Sequence, residues 1–205
     1  VQRGFALLTA LVFLLLITML ALSMSQHALL QQRMAGSLRH AQQARLSAET
    51  ALRGAEYKIW STASQAGLRL HCQEASISPD DGCVVYRSSS ALYAAHGAVT
   101  QFMRATGRLA GIGKTYTGAQ RHGYTRDSWE PSAALAENPA YLIEDLGSEQ
   151  PPSAGGLRET GNTGPDSGMS GQPDMHIYRI TARGTGGHPD VVRVVQSTFN
   201  APAAP

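Results

Sequence analysis

From Gly4 to Gln32 the chain carries no Asp, Glu, Lys or Arg, although it has 17 basic and 15 acidic side chains in its 205 residues. Phe5 to Leu22 reads FALLTALVFLLLITMLAL, in which only Thr9 and Thr18 are polar, and either hydroxyl can bond its own helix backbone. Counted through Met24, the apolar run makes a helix of about 30 Å, the thickness of a bilayer's hydrocarbon core. It can span a membrane. A secretory signal has an apolar stretch of about 7–15 residues ending at a small-x-small cleavage site, whereas this run passes without a break into a helical pattern. Arg3 lies on the short side, so the N-terminus is expected in the cytoplasm and the rest outside.

The formal charge of +2 and the mean hydropathy of −0.18 therefore describe neither part of a bipartite chain. Beyond the span no proline occurs before Pro79, and apolar or small residues recur at Leu30, Met34, Leu38, Ala41, Ala44, Ala48, Leu52, Ala55 and Ile59. Their mean step is that of an amphipathic α-helix, about 3.6 residues. The two segments are expected to form one helix to about Trp60, on the order of 85 Å long. Gly36 and Gly54 are tolerated weak points.

Cys72 and Cys83 follow, enclosing a turn-like Ser78-Pro79-Asp80-Asp81-Gly82. In an oxidising compartment a disulfide there would contribute roughly 3 kcal/mol, and it is preferred over a metal site because His71 is the one further ligand nearby. A short strand is expected at Cys83 to Arg87 and a helix from Ala91 to about Thr106. Strands are expected at Tyr141 to Leu146, His176 to Arg183 and Val191 to Phe199, the last two flanking Gly184-Thr185-Gly186-Gly187-His188-Pro189 as an antiparallel hairpin. Which face of each strand is buried stays open, because valines stand on both sides of the last strand. Pro151 to Asp174 holds six Gly, four Pro and three Ser, too little apolar material to pack, and reads as a flexible surface loop.

Several motifs fail on spacing. Gly111-Ile112-Gly113-Lys114-Thr115 looks like the end of a phosphate-binding loop, but the required first glycine falls at Arg108 and no apolar strand precedes it. It reads as a glycine-rich connector. The seven histidines form no His-x3-His pair or His-Glu-x2-His, and Asp80-Asp81 and Glu144-Asp145 supply too few oxygens for calcium. No Gly-x-Ser-x-Gly elbow is present, and the arginines make no basic run interleaved with aromatics. The reading is of a non-enzyme without metal, cofactor, small-molecule substrate or nucleic-acid partner.

The short basic leader, Arg3-Gly4-Phe5, the uncharged span and the long amphipathic helix ahead of a small antiparallel sheet resemble type IV pilins. Gln32 to Arg39 (QRMAGSLR), Ala48 to Glu56 (AETALRGAE), Tyr141-Leu142-Ile143-Glu144, Tyr178 to Gly187 and Val194 to Thr198 resemble the PilX-type minor pilins in particular. The resemblance covers the helix and the sheet, and leaves the middle of the chain uncovered. It implies an α+β pilin-like fold: a leader end at 1–4, a transmembrane and filament-core helix at 5–25, its amphipathic continuation at 26–62, and a periplasmic head at 63–205 containing the loop 151–174. It also implies cleavage by prepilin peptidase between Gly4 and Phe5 and N-methylation of Phe5. Val1 in place of Met is compatible with a GTG start or a truncated sequence.

Major pilins carry a glutamate five residues after the cut, able to pair with a neighbour's N-terminal ammonium; here that position is Thr9. PilX-type pilins and the tip pseudopilin of type II secretion share the lack. The resemblance thus implies a subunit at or near the tip of a type IV pilus that primes assembly and supports adhesion and twitching motility. The partners it implies are other minor pilins, the major pilin, the inner-membrane assembly platform and a PilY-type tip adhesin. The expected location is the inner membrane before assembly and the pilus afterwards. A type II secretion pseudopilin, a single-span membrane-anchored periplasmic protein and a secreted globular protein are the alternatives, and the sequence alone does not separate pilus from pseudopilus. Thr9 as an ordinary membrane residue remains the plainer reading of that position.

Overall fold

The computed structural model describes residues 3–64, 70–107, 109, 111–127, 129–130, 133–148 and 174–203. The expected loop at 151–174 lies outside them except for Asp174, which opens a strand. The chain divides into two units, Val1–His40 and Ala41–Pro205.

One helix, α1, runs Arg3–Ser64. Its first part is apolar with no protein cover: an 18-residue stretch has a mean hydropathy of 2.6 and none of it is buried. Thr9 and Thr18 donate their hydroxyls to the helix carbonyls of Phe5 (3.2 Å) and Leu15 (2.8 Å), so the two polar side chains of the run are satisfied locally.

Within the second unit, α1 packs on a five-stranded sheet through a row of small side chains. Ala44, Ala48, Ala51 and Ala55 are fully buried, followed by Leu52 and Ile59. The strands are β1 (Cys83–Val85), β2 (Lys114–Thr115), β3 (Ala140–Ser148), β4 (Asp174–Thr185) and β5 (Val192–Ala203). β3, β4 and β5 form an antiparallel meander. On the other edge of β3, β2 pairs antiparallel at Tyr141 and Ala140, while β1 pairs parallel at Ile143 to Asp145. The expected antiparallel sheet is thus mixed. β1 reaches β3 after a long excursion and so can enter alongside it in the same direction, which a tight hairpin would forbid.

Side chains alternate across this sheet. Tyr141, Ile143, Tyr178, Ile180 and Ala182 face α1. Leu142 packs instead with Val84, Val99 and Phe102 on the opposite face. That second cluster is built by a single 3-10 turn, Ala91–Tyr93, and a short helix, α2, Ala98–Arg104. The expected helix from Ala91 to Thr106 is therefore broken. Gly97 marks the break, since any Cβ there would overlap the carbonyl oxygens of Ala91 and Leu92. The connector at Gly111 to Thr115 also differs from expectation: it ends in β2, too short and too polar to show a strand period. At Gly113 a Cβ would lie 2.7 Å from the Phe102 ring and 2.9 Å from the Tyr141 carbonyl oxygen.

The tightest contact joins α1 to the end of β4. A Cβ on Gly184 would collide with Ser47 Oγ and the Ala48 amide, and would lie 2.7 Å from the Ala44 carbonyl oxygen. Ser47 Oγ donates to the Thr185 carbonyl at 3.0 Å, closing the contact. Gly184→Val is expected to lower head stability by about 2–3 kcal/mol through overpacking, read as a drop in the denaturant midpoint.

Candidate functional site

The residues expected to matter fall into two places. Gly4, Phe5 and Thr9 lie in the first unit, in the opening turns of α1. Phe5 is 73% exposed, and its large apolar neighbours up to Met24 are exposed as well. A helix with apolar side chains on every face has no soluble packing partner of its own and requires an apolar surrounding. Thr9 supplies a neutral hydroxyl, already used on the Phe5 carbonyl, where an acid would supply a charge.

The second place is the loop closed by the cysteines, where Cys72 and Cys83 are joined by a disulfide across a sequence separation of 11. Cys83 is fully buried in β1 and belongs to the core cluster under α1. Gln73 forms a parallel bridge with Val84, so the disulfide ties the segment leaving α1 to the outer edge of β1. Both lysines of the sequence grip the enclosed turn. Lys58, from α1, donates to the Asp80 carbonyl (3.0 Å) and pairs with the Asp81 carboxylate (2.6 Å). Lys114, from β2, donates to the Pro79 carbonyl at 2.9 Å. Asp81 also accepts the His71 amide at 2.7 Å. Asp81 therefore serves a lysine and a backbone N–H, and Lys114 of the phosphate-loop look-alike serves a carbonyl.

Three polar arrangements were not singled out in the sequence. Glu144, fully buried on β3, accepts two hydrogen bonds from its cross-strand partner Arg179, Nε at 2.7 Å and Nη2 at 2.6 Å. The Arg179 guanidinium lies 5.1 Å over the Tyr86 ring, and Tyr86 meets Tyr93 edge to face. Burial, then the Glu144 charge, push the Tyr93 hydroxyl well above its ordinary value, while the bond to Glu144 raises Arg179 further. Arg183 donates to the carbonyls of Ala105 and Gly107, both at 2.5 Å, closing the C-terminal end of α2. His176 Nδ1 lies 3.0 Å from Asp145 Oδ1. A glutamate inside an otherwise apolar strand, Tyr141-Leu142-Ile143-Glu144, was the one signal available for the first of these. These contacts hold the head together; among the described residues no three His, Cys, Asp or Glu side chains gather as a metal-binding group.

Burial alone would raise the Asp81 carboxyl, but the Lys58 hydrogen bond, the His71 N–H and the Lys58 charge outweigh it and hold it below 3.8. A carboxyl depressed in the folded state stabilises above its unfolded pKa, and that contribution is lost as pH falls through the folded value. Unfolding of the head measured below about pH 4 should therefore be less steeply acid-dependent in Asp81→Asn than in the unaltered protein. Replacing both cysteines by serine should cost about 3 kcal/mol in the same denaturation measurement.

Comparison with known protein families gives two matches. A family described as type IV pilus assembly protein PilX, C-terminal, covers residues 50–201, and the PilX N-terminal family covers residues 3–53. No similar curated protein and no similar solved structure was found. The matches run through both units and follow the order of helix, disulfide loop and sheet. The chain belongs to the PilX family of type IV pilus proteins.

Proposed function

We infer that this chain is a minor pilin that helps to prime a type IV pilus and sits at or near its tip. The observation that carries this reading is Thr9: a bare apolar helix in a PilX-family chain offers a hydroxyl where a repeating subunit needs a carboxylate. An unpaired ammonium buried in an apolar core costs several kcal/mol, so such a subunit is a poor repeat and a tolerable first member. Before assembly Phe5 to Met24 lies in the inner membrane; afterwards it lies in an apolar filament core, and little desolvation separates the two environments. Cys72–Cys83 suits an oxidising compartment, which favours a periplasmic head and a cytoplasmic N-terminus. Prepilin peptidase cuts after Gly4 and Phe5 receives the methyl group. The partners are other minor pilins, the major pilin, the assembly platform and a PilY-type adhesin, with adhesion and twitching as the downstream phenotypes. The role is structural rather than enzymatic.

Mass spectrometry of the mature N-terminus is expected to find N-methylated Phe5; retention of residues 1–4, or a cut near Ser25, would overturn the reading. Thr9→Glu supplies the missing carboxylate. Immunogold labelling should then find the variant several-fold more often along filament shafts than the unaltered chain, which should be confined to filament ends. Equal shaft labelling of the two would count against a tip position.

A further inference from the structure

Arg179 and Arg183 stand four residues apart on β4, so strand alternation turns both to the same side of the sheet, the side away from α1. Arg179 spends Nε and Nη2 on the two carboxylate oxygens of Glu144, at 2.7 and 2.6 Å. Arg183 is the more deeply buried of the two, at 6% exposure. Its side-chain hydrogen bonds among the described residues all run to backbone carbonyls: Nη1 to Phe102 (3.4 Å) and Ala105 (2.5 Å), and Nη2 to Gly107 (2.5 Å). A guanidinium has five N–H groups. The Nε–H of Arg183 and one N–H of its Nη2 remain, on the same two nitrogens with which Arg179 holds Glu144.

Arg183 also lines a cavity of about 410 Å³, within the size range of ligand sites, roughly 300–1,000 Å³. Phe102, Leu109 and Ile112 give it apolar walls. At Gly111 an added Cβ would meet nothing within 4 Å, so the backbone there leaves the space open. Arg183 and Glu137 are the charged members of the lining. Burial holds the Arg183 guanidinium below its ordinary value, and the charge of Glu137 offsets this only in part. Carbonyl oxygens carry partial charges, whereas a buried cation is best met by a full negative charge whose hydrogen-bonding atoms match its own. A carboxylate supplies one charge and two coplanar oxygens, which fits two adjacent guanidinium nitrogens. A doubly charged phosphate would meet stronger repulsion from Glu137.

We propose that this cavity binds a carboxylate, held side-on by Nε and Nη2 of Arg183 with its carbon body against Phe102, Leu109 and Ile112. A free organic acid and an acidic side chain of a partner protein share that chemistry. The test uses the full chain in neutral-detergent micelles, with calorimetry for affinity and the Nε–H magnetic resonance signal of Arg183 for location. Butyrate stands for the free acid and acetyl-Ala-Glu-Ala amide for the partner's side chain. At least one of them should bind and shift the Arg183 signal, whereas butyramide should leave it in place. Tighter binding of the peptide assigns the site to a partner protein, and tighter binding of butyrate assigns it to a small acid. Arg183→Lys keeps the charge, loses the fork and should weaken binding about tenfold. Because Arg183 also supports α2, Ala136→Leu is the companion variant: it fills the cavity from another wall and should abolish binding with the circular dichroism spectrum unchanged. No shift with either probe, an equal shift with butyramide, or undiminished binding in either variant would overturn the proposal.

Discussion

The head is organised by how closely α1 can approach the sheet. Ala44, Ala48, Ala51 and Ala55 leave almost no side-chain volume between the helix backbone and the strands, and Gly184 removes the last obstacle on the strand side. Ser47 then hydrogen-bonds the Thr185 carbonyl across a sequence separation of 138 residues. Close approach of this kind gives many short dispersion contacts from small side chains, and it tolerates little change in register because each interior position is already filled. The larger Ile59, Tyr141, Tyr178 and Ile180 complete the same cluster where the spacing allows them.

The opposite face of the sheet follows a different rule. It is only partly apolar, with Val84, Val99, Phe102 and Leu142 near one end. The Glu144–Arg179 pair, with Tyr86 and Tyr93, makes a charged and aromatic patch beside them. A buried carboxylate persists only when its lone pairs are engaged, and Arg179 supplies two donors in one plane. Arg183 works in the same spirit, giving its donors to the Ala105 and Gly107 carbonyls just after α2. A short helix of seven residues, Ala98–Arg104, gains little from its own hydrogen bonds and depends on such tertiary support.

Membership of the PilX family accounts for the two units in physical terms. The first carries side chains that water does not favour and that a membrane or an assembled filament can cover. The second carries every carboxylate side chain of the sequence, the disulfide and the buried Glu144–Arg179 pair. Lys58, Lys114 and Cys72–Cys83 all act on the loop between the two cysteines, so the stretch leading into β1 is fastened by covalent, ionic and backbone contacts together.

Local spacing made the long helix legible: a run without charge or proline, followed by a step near 3.6 residues, specifies a helix whatever lies around it. The same holds for the three long strands, whose ends shifted by a few residues at most, and for the pairing of two cysteines with few other partners. Other features depended on residues far apart in the chain. The sequence of β1 does not say that it runs parallel to β3, and two-residue β2 exists only because β3 has an open edge there. The expected helix at Ala91 to Thr106 broke because Gly97 must pass close to the turn before it. Glu144 looked like an ordinary strand-end acid until register set it opposite Arg179. Periodicity determined which segments form elements; three-dimensional packing decided which faces meet, because a strand's alternation offers two sides and only the neighbours arriving from elsewhere choose between them.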